Sequence, residues 1–78
     1  MHLYQFKLVC RCPNDESVNI YDVEINSDAI IEVEEFVKIQ KRIYTQLMFQ
    51  ADLFEILKSR FDSVKLTSDH LGVKVTSK

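Results

Sequence analysis

Tyr4-Gln5-Phe6-Lys7-Leu8-Val9-Cys10-Arg11-Cys12 carries apolar side chains at every even position, with Gln5, Lys7 and Arg11 between them. Successive strand residues point to opposite faces, so a period of two marks a strand that buries one face and wets the other. Pro13-Asn14-Asp15-Glu16-Ser17 then supplies turn chemistry, because proline fixes its own φ while Asn, Asp and Ser can hydrogen-bond the local backbone. Beyond it Tyr21, Val23 and Ile25 alternate with Asp22, Glu24 and Asn26, a second strand that completes a hairpin. Val18 and Ile20 lie on the opposite phase and point to a bulge or a two-sided start.

The apolar face of that hairpin needs a cover, and the following segment has helical spacing. At 100° per residue Ile30, Val33, Phe36, Val37, Tyr44, Leu47, Met48 and Ala51 gather on one side, opposite Glu34, Glu35, Lys38, Lys41 and Arg42. This pattern predicts one long amphipathic helix capped by Ser27 or Asp28, with a favourable Glu34–Lys38 pair. Ile31, Ile39 and Phe49 fall off its stripe. After Ala51 the phase changes: Leu53, Phe54, Leu57 and Phe61 form their own stripe, and Asp52 with Glu55 has capping-box spacing. The expectation is a kink or a second short helix, and a strand over Tyr44 to Gln50 remains open because aromatic and β-branched residues tolerate one.

Val64 to Thr67 and Val73 to Thr76 alternate again, around a turn in which Gly72 can take positive φ. The predicted class is therefore α+β in the order ββααββ: a single domain over 1–78, with a largely antiparallel sheet covered on one face by the helices. A chain of 78 residues holds one modest core. Gly72 and Pro13 are the only residues of their types, which excludes glycine-rich phosphate loops and dinucleotide fingerprints. The N-terminal alternation is unlike a signal peptide and no stretch has the length of a membrane span, so a cytoplasmic protein is expected. No catalytic spacing or cofactor motif stands out, and the expectation is a non-enzymatic protein without cofactor or metal.

Charge supplies the functional candidate. Asp15, Glu16, Asp22, Glu24, Asp28, Glu32, Glu34 and Glu35 occupy the stretch between Arg11 and Lys38 without a Lys or Arg, while bases prevail after it, so a net charge of −2 conceals strong segregation. If the acids pool on one surface, they fit a basic site on a larger protein partner, including one that normally holds nucleic acid. Asp15, Glu16, Asp22, Glu24, Asp28, Glu32 and Glu35 are then the contact residues of a small acidic inhibitor or regulator, of the type that phages and mobile elements direct against host defence, such as an anti-CRISPR protein. The plain alternative is a set of solvated acids favouring a helix N-terminus and an outer hairpin face.

Two other classes compete. The bases from Lys38 onward, Lys38, Lys41, Arg42, Lys58, Arg60, Lys65, Lys74 and Lys78, could serve a nucleic-acid-binding or transcription-regulating domain, although most sit singly or beside acids. Tyr4 and Phe6 could offer a stacking platform on a strand, but they share the face expected to lie under the helices. Cys10 and Cys12 share one strand face and, with His2 and His70, make a zinc or thiol reading; their spacing is unlike that of structural zinc sites, and only the two histidines could act as base to a catalytic thiol. Small size also favours a homodimer through a helix surface or an unpaired sheet edge.

Overall fold

The opening alternation becomes β1 (His2–Arg11), which pairs antiparallel with β2 (Val18–Ser27) in the register Phe6↔Val23 and Leu8↔Tyr21. In the computed structural model, which describes residues 1–78, α1 (Val33–Ile43) and α2 (Gln50–Arg60) follow, then β3 (Ser63–His70) and β4 (Val73–Ser77). The sheet is antiparallel throughout with strand order β1-β2-β3-β4, and the expected α+β, ββααββ architecture is present. Both hairpins connect neighbouring strands, the simplest route through such a sheet. Leu71 and Gly72 take φ of 53° and 83° in the β3–β4 turn, the double positive φ that matches the right-handed strand twist.

The register lines up the inward phases of all strands. Leu8 and Cys10, Tyr21, Val23 and Ile25, and Val64 and Leu66 meet Phe36, Ile39 and Ile43 of α1 and Leu53 and Leu57 of α2 in a single core. Phe36 packs against Tyr4, Phe6 and Phe61, with ring centroids 5.0, 4.8 and 5.8 Å away. Tyr4 and Phe6 therefore lie under the helices, as their alternation implied, and cannot stack bases. Val18 and Ile20 are paired without a bulge and stay exposed on the open face of the sheet, opposite Arg11 and Val9.

The helical segment departs from expectation. The long helix expected through Ala51 stops at Ile43; the second short helix expected after the phase change is present as α2, and the residues between them extend and pair with β1, the alternative left open over Tyr44 to Gln50. Arg11 N–H donates to Gln46 O at 3.0 Å, Met48 N–H donates to Arg11 O at 2.9 Å, and Leu47 bridges Arg11 in parallel. These bonds satisfy backbone groups that a continuous helix would have paired internally. Fitting one helix through residues that are not helical rotated the inferred stripe: Ile39, assigned off the stripe, is buried, whereas Ile30 and Val33 are exposed. Neither Ser27 nor Asp28 caps α1. Ser27 Oγ accepts from Ala29 N–H at 3.1 Å and Tyr4 Oη accepts from Ile31 N–H at 2.9 Å, which keeps the connection out of the helix until Glu32. Asp52 and Glu55 do not form the expected capping box, since α2 begins at Gln50 behind Phe49 with no side-chain cap. Lys38 pairs with Glu35 at 3.7 Å rather than with Glu34.

Candidate functional site

The same register scatters the acids. Asp22 and Glu24 project from the open sheet face, where Lys7 Nζ lies 2.6 Å from Asp22 and Gln5 Nε2 donates to Glu24 at 2.9 Å. Lys65 stands opposite Glu24 on β3, and Lys74 stands opposite Asp69 on β4. Asp15 and Glu16 belong to the β1–β2 turn, while Asp28, Glu32 and Glu35 lie beyond the far end of β2 and on α1. The ten residues of β2 separate these two groups by roughly 30 Å at strand rise. The expected single acidic face is therefore not assembled. The bases are divided too: Lys38, Lys41 and Arg42 ride on α1, Lys58 and Arg60 on α2, and Lys65 and Lys74 on the open sheet face.

Polar groups do converge where the core runs out. Read along their inward phases, β2 passes from Ile25 and Val23 to Tyr21 and Asn19, and β3 from Val64 and Leu66 to Ser68 and His70. The helices cover the apolar rows and stop at the polar ones. There Cys12, Asn14, Asn19, Ser68 and His70 line a cleft of about 240 Å³, walled by Tyr21, Met48, Phe49, Gln50 and Val75. Phe49 is about half exposed and presents its ring to this space. Gln50 is committed to the frame: its Nε2 faces Leu66 O, Val75 O and Ser77 Oγ at 3.2–3.3 Å, and its Oε1 accepts from Ser68 Oγ at 2.6 Å.

The two thiols differ sharply. Cys10 is fully buried and donates weakly to Met48 O at 3.9 Å; burial pushes its pKa up, keeping it a neutral, inert thiol. Burial likewise pushes the Tyr21 hydroxyl up to about 12, reinforced by neighbouring Cys10. Cys12 is only half-buried and opens into the cleft. Its neighbour Asp15 is held below the usual carboxylate range, chiefly by the Ser17 hydroxyl and backbone N–H, with smaller contributions from the Cys12 thiol and the field of His70. Thiol, imidazole and carboxylate thus occupy one end of the sheet, although no hydrogen bond joins Cys12 to His70. No group of three His, Cys, Asp or Glu residues is arranged to hold a metal; His2 sits beside Tyr4 near the start of β1, far from both cysteines.

Sequence reasoning placed Cys12 and His70 among the candidates but missed Asn19, Ser68 and Phe49. The available signal was the change from apolar to polar on the buried phase of β2 and β3. In the sequence Phe49 stands out only as a ring off the helical stripe.

No protein-family model matches the chain, and no curated protein matches it in sequence. A solved structure matches it in fold: the crystal structure of the archaeosine synthase QueF-like in the apo form, 22% identical, superimposes over 96% of this chain and 86% of that one with a TM-score of 0.72. The likeness concerns the fold, and it corrects the functional expectation. A synthase shares this architecture, and the acids of the chain do not pool, so the reading of a phage-type inhibitor docking an acidic face is withdrawn. The expectation of a non-enzymatic protein likewise has no positive support in the fold. No helix is long and apolar enough to cross a membrane.

Proposed function

We propose that the chain handles a single nucleobase, or a heteroaromatic of that size, in the cleft at the polar end of the sheet. The observation that carries this reading is the convergence of an exposed ring, Phe49, with amide and hydroxyl groups of Asn14, Asn19 and Ser68 around one accessible thiol, Cys12. Aromatic faces stack on bases, and amide edges match their donors and acceptors. At about 240 Å³ the cleft lies below the usual range for drug-sized ligands, which suits a base better than a nucleotide. The fold neighbour's name, archaeosine synthase, denotes chemistry on a nucleoside and supports the same ligand class. In this reading Cys12 is the candidate reacting group and His70 its candidate base, with the Asp15 carboxylate at the same end of the sheet.

The test is amide-resolved NMR titration with free bases and nucleosides. Saturable shifts at Asn19, Phe49 and Ser68, abolished by Phe49→Ala and accompanied by protection of Cys12 from alkylation, are expected. Shifts elsewhere, or none with any base, sink the proposal.

A second reading concerns association. Val73 and Val75 occupy the inward phase of β4, yet the helices leave them exposed, and β4 forms an edge of the sheet. Pairing of that edge with a second copy would cover them. Sedimentation velocity should show an assembly that Val75→Lys weakens; a monomer at all concentrations removes this reading.

A further inference from the structure

A second recess lies on the same side of the sheet, between the two helices. α1 packs on β1 and α2 on β3 and β4, but the two helices keep apart from one another rather than interlocking at the 8–10 Å usual for packed helices. Between them is a groove of about 400 Å³, within the size range of small-molecule sites. Half of its lining is apolar: Ile39 and Ile43 of α1, each only 3% exposed at its base, with Met48 from the connector and Ile56 from α2, while Gln46 and Ser59 add uncharged polar groups. Ile56 turns away from the core face set by Leu53 and Leu57, and remains about two-fifths exposed. The charged groups lining the groove are both guanidiniums, Arg42 and Arg60. Glu35 reaches Arg60 at 4.0 Å from outside the lining, whereas Arg42 has no carboxylate within that distance.

Apolar side chains bounded by two arginines select an amphipathic anion, and Glu35 offsets part of the charge on Arg60. Glu35 also pairs with Lys38 at 3.7 Å, so more than one positive charge remains uncompensated, and it is the apolar part of the lining that favours a carboxylate on a hydrocarbon body over a small hydrated dianion such as phosphate. We propose that this groove binds a small carboxylate with a medium-length hydrocarbon body, the chain lying over Ile39, Ile43, Met48 and Ile56 and the carboxylate held by Arg42 and Arg60. The site shares no residue with the proposed nucleobase cleft except Met48, which lies between them.

Methyl-resolved NMR titration of the full chain with octanoate tests this directly, with octylammonium and acetate as the charge-reversed and chain-less controls. Octanoate should give saturable shifts of the Ile39, Ile43, Ile56 and Met48 methyls, and both controls should leave them unmoved. Arg42→Ala, an exposed change that spares the core, should weaken octanoate by about tenfold, the loss expected for one charge-assisted bond. Arg42→Lys should recover part of that loss. Equal binding of octylammonium, an unchanged affinity in Arg42→Ala, or the absence of saturable shifts in the groove would each overturn the proposal.

Discussion

Gln50→Ala should unfasten β4. The Gln50 side chain faces Leu66 O at 3.3 Å and Val75 O and Ser77 Oγ at 3.2 Å through its Nε2, while its Oε1 accepts from Ser68 Oγ at 2.6 Å. The amide carries two hydrogens, so at most two of the three acceptors are served well at once; with the Ser68 bond, about three hydrogen bonds are lost. At roughly 1 kcal/mol net each, that is about 3 kcal/mol. Alanine's better helix propensity returns a few tenths, and water reaching the exposed Val75 carbonyl returns more, so a loss of about 2 kcal/mol is expected. For a domain of this size that corresponds to roughly 8–16 °C in Tm. Urea unfolding gives the free energy, and hydrogen exchange should show the amides of Val73 to Ser77 opening ahead of those in β1 and β2. A stability change below about 0.5 kcal/mol, or exchange raised evenly over the whole sheet, would refute the clamp.

Leu53→Ala removes a fully buried side chain where α2 meets the sheet and should cost about 2–5 kcal/mol by urea unfolding. Raising the pH should destabilise the fold: Cys10 and Tyr21 hold their protons more tightly when folded, so the stability they contribute is complete below their ordinary values of 9 and 10 and declines as the pH rises through the folded value of about 12 for Tyr21. Tyr21→Phe should flatten that decline in unfolding curves taken between those limits. Thiol titration should find Cys12 reactive in the native protein and Cys10 reactive only with unfolding; equal rates would contradict the contrast in burial. Asp22→Asn should change stability by less than about 0.5 kcal/mol in the same urea assay, because its 2.6 Å pair with Lys7 is largely exposed.

What the chain order and periodicities determined was the architecture. Alternation at Tyr4 to Cys12 and at Tyr21 to Asn26 settles two strands and their inward faces, and Leu53, Leu57 and Phe61 settle the face of the second helix, because both periodicities are local properties of the backbone. The phase change also announced a second helix, but only the tertiary structure decided where the first one stops. Residues 44–49 have no Gly or Pro to stop a helix; they leave it because the free edge of β1 at Arg11 offers their backbone other partners. It also decided the fate of the charges, since adjacency in sequence places Asp15 and Asp28 at opposite ends of β2 while strand pairing brings Lys65 beside Glu24. The cleft is of the same kind. Cys12, Asn19, Phe49 and the pair Ser68 and His70 come from four separate places along the chain, and the antiparallel register that unites them is a long-range property no local pattern encodes.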